Sequence, residues 1–229
     1  LNHFMLHKVG LPTFYGQAFL PDVCELAPEM LPYTKRYFEE FLKTGTIREV
    51  RPSELWYTSR TDFSPEALGT ELPAHKNTGF ELLQGPAQFD GEILGGCIDS
   101  MYEMFSGWRY GDMPEVCRNY GLFPSMDDWL GKILLMESCE EYMPPETYKK
   151  ALETLQETGV FDAVSGVLVG KPMDDMYHEE YKKLLVETIS NKELPILCNI
   201  NVGHAQPRCI LPFGVPAHVD ADAQVIRFG

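Results

Sequence analysis

The chain has 229 residues, enough for one large domain or two small ones, and its 44% hydrophobic and 23% charged residues exclude a disordered polymer. With 34 acidic residues against 19 basic ones the formal charge is −15, a surface that repels phosphate backbones and anionic lipid and argues against nucleic-acid or membrane partners. No apolar run approaches the ~20 residues of a membrane span, and Leu1-Asn2-His3 opens without the charged and apolar regions of a signal peptide.

In chain order, residues 1–8 read as the end of a helix stopped by Gly10, and residues 11–15 as a short strand closing on Gly16. Apolar residues at 30, 31, 37, 38, 41 and 42, with Gly45 placed as a C-cap, predict an amphipathic helix over 28–43. From Thr46 to Gly79 periodicity fades among Pro52, Pro65, Gly69 and Pro73, leaving strand-like pieces such as 55–59 and marking a domain junction. Strands at 80–83 and 87–94 and a helix at 97–106 follow, then an irregular stretch to Leu130. The last hundred residues alternate: strand 132–136, helix 145–157 closed by Gly159, strand 164–169, helix 176–190, strand 195–200. That alternation implies a parallel sheet with right-handed crossovers. Short strands near 209–213, 216–219 and 224–228 suggest a second, antiparallel sheet.

Six cysteines, at 24, 97, 117, 139, 198 and 209, form no C-x-x-C pair. The pattern suits reduced, packed thiols of a cytoplasmic protein better than a disulfide framework or a metal site. His178-Glu179-Glu180 resembles the start of a zincin helix, but Lys182 stands where the second histidine belongs, so it reads as a solvated helix face.

Two residues stand out for chemistry. Glu137 follows the apolar run Ile133-Leu134-Leu135-Met136, and His204 follows strand 195–200 in Asn201-Val202-Gly203-His204. Catalytic groups of parallel sheets gather outside the carboxyl ends of strands, where these two can meet. A carboxylate accepting from an imidazole N–H fixes the tautomer and stabilises the imidazolium when the ring takes a proton. Taken singly, each is equally a solvated surface residue.

Five segments tie the two positions together. Gly10-Leu11-Pro12-Thr13-Phe14-Tyr15-Gly16, Gly91-Glu92-Ile93-Leu94-Gly95-Gly96, Gly131-Lys132-Ile133-Leu134-Leu135-Met136-Glu137, Phe161 through Gly170, and Gly203-His204 with Leu211-Pro212-Phe213-Gly214 occur in order over most of the chain. Together they resemble the LD-carboxypeptidase family of serine peptidases, in the branch that includes microcin C immunity proteins.

The resemblance implies the tail of a flavodoxin-like domain (1–45), an interdomain linker (46–77) and a swivelling β/β/α C-terminal domain (78–229). It also implies a Ser-His-Glu triad in which Glu137 orients His204 and His204 acts as general base. Trp56, Gly95 and Gly96 are then expected at the substrate, a murein L,D-peptide or a peptidyl or aminoacyl nucleotide. No cofactor or metal is expected, and a homodimer is. The sequence departs from the family where Gly95-Gly96 is followed by Cys97 instead of Asn and where Ser138 replaces an Asp. The nucleophile is missing too: none of the serines at 53, 59, 64, 100, 106, 125, 138, 165 or 190 sits in a Gly-x-Ser-x-Gly elbow. The chain as given is therefore expected to be inactive alone, and a non-catalytic immunity module that sequesters a peptide-nucleotide, or a purely structural oligomerising domain, stays open beside the enzyme.

Overall fold

The computed structural model describes residues 2–229, so Leu1, included in the first expected helix, lies outside the described residues. Helix α1 (Asn2–Val9) stops where Gly10 turns to φ +68° and its N–H donates to the Leu6 carbonyl at 3.0 Å. Strand β1 (Thr13–Tyr15) is followed by α2 (Pro32–Thr44), which begins on Pro32 and ends on Gly45 in the left-handed conformation, the two residues whose backbone suits those places. Then come β2 (Glu49–Val50), β3 (Leu55–Tyr57), β4 (Ala74–Lys76), β5 (Glu81–Gln84) and β6 (Gln88–Cys97).

After β6 the chain alternates between helices and strands. It runs through α3 (Ile98–Ser106), α4 (Met113–Tyr120), α5 (Met126–Trp129), β7 (Ile133–Glu137), α6 (Pro145–Glu157), α7 (Val160–Ala163), β8 (Gly166–Gly170), α8 (His178–Thr188) and β9 (Ile196–Ile200). Strands β10 (Leu211–Phe213), β11 (Pro216–Asp220) and β12 (Val225–Phe228) close it. The stretch expected to be irregular before Leu130 instead holds α4 and α5. The latter is started by Ser125, which accepts from Asp128 N–H while Asp128 accepts from Ser125 N–H, a reciprocal cap in a run otherwise poor in apolar periodicity.

The main sheet has eight strands in the order β2-β12-β11-β6-β7-β8-β9-β5. Its centre, β6 to β9, is parallel, as the alternation predicts. Of the closing strands, β10 pairs in a small separate antiparallel sheet, whereas β11 and β12 join the main sheet antiparallel. Strand β6 is ten residues long, so its first half (88–92) pairs antiparallel with β11 while its second half (93–97) pairs parallel with β7. Small antiparallel pairs form elsewhere, β1 with β10 and β3 with β4. Strand β2, inside the stretch expected as a linker, pairs with β12.

Period-two alternation divides the core. Leu94, Leu134, Met136, Val167 and Val169 face a cluster shared with Ile98, Tyr148, Leu152 and Leu185 of the crossover helices. Ile93, Ile133, Leu135, Leu168 and Leu197 face the other way, onto Tyr37 of α2, Ile47 and Phe213. Crossovers of one hand between neighbouring parallel strands put the helices on one face. The opposite face is left to α2 and to the loops beyond the strands' carboxyl ends, where Glu137 is the register partner of Cys97 and Gly170 that of Ile200.

Candidate active site

All five residues of β7 are buried, and the last is Glu137, with its side chain 0% exposed. A carboxylate so placed must be hydrogen-bonded or be very costly. Tyr15 of β1 donates its hydroxyl to Oε1 at 2.7 Å, and His204 Nδ1 lies 2.8 Å from Oε2. Both oxygens are thus used, one by each neighbour. The two strand-end positions chosen from sequence are brought together across 67 residues of chain.

Three glycines make room for this carboxylate. A Cβ on Gly203, at φ +92°, would stand 2.4 Å from Glu137 Oε2; one on Gly170 would stand 2.7 Å from Glu137 Cβ. Gly96, at φ +143°, presents bare backbone to the Tyr15 ring, 3.4 Å from where a Cβ would be. Gly95 is required for a different reason, since its Cβ would stand 2.2 Å from the Leu135 carbonyl of the neighbouring strand. Gly95 and Gly96, expected at the substrate, therefore have structural work in strand packing and in seating Tyr15. The Tyr15 ring is further fixed by stacking on Phe213, 5.5 Å between centroids and 7° between planes.

The His204 loop is pinned from below. Arg208 donates one guanidinium N–H to the His204 carbonyl at 2.6 Å and another to buried Asp22 at 2.7 Å. Asn201 accepts from Ser53 N–H at 2.9 Å and its carbonyl from Cys209 N–H at 2.8 Å. With its backbone held, the His204 ring stays 36% exposed, and its Nε2 lies 3.2 Å from Glu140 Oε2 on the solvent side. Burial, the strongest single influence, pulls the His204 pKa down. The hydrogen bond and charge of Glu137, with the charge of Glu140 behind them, more than offset it and hold the ring above its ordinary 6.5. A cavity of about 460 Å³ opens beside the ring, lined by Tyr15, Gln17, Pro21, Gly203 and Arg208 among others.

Trp56, on β3, stacks on His75 of β4 with centroids 4.1 Å apart, and the ammonium of Lys171 sits 4.9 Å from its ring. The hairpin is tied to the histidine loop by Tyr57 N–H donating to the Gln206 carbonyl at 3.0 Å. Lys171 itself is buried and paired with Asp175, which also meets His178 Nδ1 at 2.8 Å. His178 is thus hydrogen-bonded into the Lys171–Asp175 cluster and buried, where the sequence reads as a solvated helix face.

Sequence reasoning missed four contributors: Tyr15, Asp22, Arg208 and Glu140. An acid and a base 186 residues apart carry no local signal of pairing, and Tyr15 reads simply as an alternating strand residue. For Glu140 a signal existed, since it lies three residues after a strand-end carboxylate.

The profile of the LD-carboxypeptidase C-terminal domain matches residues 90–219, more than half of the chain. The chain belongs to the LD-carboxypeptidase family. It is 57% identical to an MccF-like protein from Streptococcus pneumoniae, solved in complex with AMP, with a TM-score of 0.97 over 100% of this chain and 66% of that one. It is 25% identical to the microcin C7 self-immunity protein MccF of Escherichia coli over 94% of this chain and 58% of that protein. The fold alone is shared with MccF in complex with aspartyl sulfamoyl adenosine, at 22% identity, a TM-score of 0.74, and 99% and 63% coverage. The chain thus spans about three-fifths of the length of these relatives. Among the described residues, no helix is long and apolar enough to cross a membrane.

Proposed function

We propose that Glu137 and His204 are two members of a Ser-His-Glu hydrolase site whose serine comes from outside these 229 residues. The observation that carries the reading is the 2.8 Å contact between His204 Nδ1 and a Glu137 carboxylate that is 0% exposed. With Nδ1–H donated to Glu137, the neutral ring carries its lone pair on Nε2, the tautomer a general base needs, at the nitrogen that meets Glu140 here. As Nε2 takes the proton of an attacking hydroxyl, the buried carboxylate stabilises the imidazolium beside it. In this reading residues 1–45 end an upstream nucleophile domain, 46–77 connect it, and 78–229 form the C-terminal domain.

The substrate class follows from the relatives. A pneumococcal relative was solved with AMP and MccF with an aminoacyl sulfamoyl nucleoside. An amide next to an aminoacyl nucleotide, or the L,D-amide of a murein peptide, is the bond to be cut. Half-buried Trp56, stacked on His75 with Lys171 over its ring, is kept as the contact for a nucleobase. Exposed Phe19 and Leu20 support a homodimeric assembly. A second reading, sequestration of the nucleotide without cleavage, is favoured by Nε2 meeting the Glu140 carboxylate where a hydroxyl would be.

The test uses the protein joined to its serine segment. His204→Ala should lower kcat by several orders of magnitude, and Glu137→Gln by less, because the base handles the proton while its partner orients it. AMP should bind, and Trp56→Ala should weaken it by about 1–3 kcal/mol, the range of one base–aromatic stack. Unchanged turnover by His204→Ala would remove the hydrolase assignment; AMP binding without any turnover of either amide would favour sequestration.

A further inference from the structure

We propose that Cys97 and Cys139 are a redox-active dithiol that closes to a disulfide at the carboxyl edge of the sheet, beside Glu137. Cys97 ends β6 as the register partner of Glu137, and Cys139 lies two residues beyond Glu137 in sequence. The two sulfurs and an oxygen of Asp99 all lie within 4.8 Å of one another. Asp99, 2% exposed, organises the pair: its Oδ2 accepts from Cys139 N–H at 3.1 Å and from the Cys97 thiol at 3.5 Å. From the other side, the Arg109 guanidinium reaches to 3.6 Å from Cys139 Sγ.

These contacts divide the labour between the thiols. The neighbouring Cys97 sulfur, with the Arg109 contact adding to it, brings the Cys139 thiol down to about 7 against the opposing effect of burial. The Cys97 thiol is pushed up, first by the neighbouring Cys139 sulfur and then by burial and the charges of Glu137 and Asp99. Cys139, with the Arg109 guanidinium at its sulfur, is the thiolate that reacts, and Cys97, whose thiol donates to Asp99, is the thiol that resolves. A metal ion suits the place less well. The group offers three donors where a structural zinc takes four, one of them is already held by Cys139 N–H, and a guanidinium abuts a sulfur.

Since Cys139 is 7% exposed, the oxidant must be small, and hydrogen peroxide fits. The Cys139 thiolate attacks one peroxide oxygen, the O–O bond breaks, and hydroxide departs, leaving a sulfenic acid. The Cys97 sulfur then attacks Cys139 Sγ; the S–S bond forms, and the sulfenic oxygen leaves with the Cys97 proton as water. Two thiols are oxidised and one peroxide becomes two waters. Closure brings the sulfurs to about 2.05 Å. The segment it draws in is Ser138-Cys139, which lies between the carboxylate at His204 Nδ1, Glu137, and the carboxylate at Nε2, Glu140. The ring of His204 should register the change. The thiol chemistry itself does not depend on the hydrolase reading.

The test exposes the purified chain to equimolar hydrogen peroxide, blocks remaining thiols with N-ethylmaleimide, and maps tryptic peptides by mass spectrometry. A Cys97–Cys139 cross-linked peptide, reversed by dithiothreitol, is expected, together with a shifted His204 ring signal by NMR. In Cys97→Ser, oxidation should stop at a sulfenic acid on Cys139 that dimedone traps. In Cys139→Ser, Cys97 should remain alkylatable. Circular dichroism checks that both variants fold, and the wild-type cross-link decides the matter if either does not. Recovery of both cysteines as maleimide adducts, or over-oxidation without a cross-link, would overturn the proposal. So would stoichiometric zinc binding by the reduced chain that shields both thiols, which would make the group a metal site.

Discussion

Gly203→Ala tests whether the glycines around Glu137 are what allow a buried carboxylate to meet His204. The new methyl would sit 2.4 Å from Glu137 Oε2 and 2.7 Å from both Cδ and Cβ, on a backbone at φ +92°. The left-handed conformation alone costs a non-glycine residue ~1–2 kcal/mol. Breaking a buried charged pair costs roughly 3–5 kcal/mol. Because the His204 side chain is 36% exposed, water softens that loss, and ~2–4 kcal/mol is the appropriate share. The sum, ~3–6 kcal/mol, is a large part of the ~5–15 kcal/mol that holds a domain folded. Gly69→Ala is the control, with φ +79° and nothing within 4 Å of the added methyl, so it should show the backbone cost alone. Urea unfolding of the two variants gives the difference, and NMR titration of the His204 ring gives the local effect. If both variants lose the same stability and the His204 midpoint stays put, the crowded-carboxylate argument is wrong.

Two further outcomes follow from the same geometry. Tyr15→Phe removes the 2.7 Å donor to Glu137 Oε1 and leaves a buried charged acceptor half satisfied, so unfolding should become easier by ~1.5–3 kcal/mol; a loss under ~0.5 kcal/mol would mean that solvent reaches the carboxylate. His204, held above 6.5, contributes stability that is complete below that value and lost as pH rises through its folded pKa. Its NMR midpoint should accordingly lie above 6.5 and fall part of the way back in Glu140→Gln, whereas a wild-type midpoint at or below 6.5 would contradict the ion-pair reading.

The parts of this molecule that were legible in the sequence are those whose signal is local. The continuous apolar run before Glu137 predicts a buried strand ending at the carboxyl edge, where it could meet His204, and the segments that resemble the family are what tied the two positions together. The last two strands joined the main sheet and not a second one because β6 changes partners part-way along its ten residues, a matter of length rather than of apolar pattern. Helices α4 and α5 escaped because their start signals, Pro114 and the Ser125–Asp128 cap, sit among aromatic and acidic residues without a repeating apolar stripe.

The site divides along the same line. Glu137 and His204 stand at strand ends and are carried by the segments that resemble the family. The residues that hold Glu137 in place carry no such signal. Gly96, Gly170 and Gly203 act by lacking a side chain, and that has meaning only once the atom each would strike is known. Arg208 and Asp22 make sense only as a pair, and neither partner is predictable from the other. Glu137 could thus be found from sequence, whereas the shell that seats it and hydrogen-bonds it inside the protein had to be found in three dimensions. It is this shell, more than the pair itself, that a substitution at Gly203 or Tyr15 puts to the test.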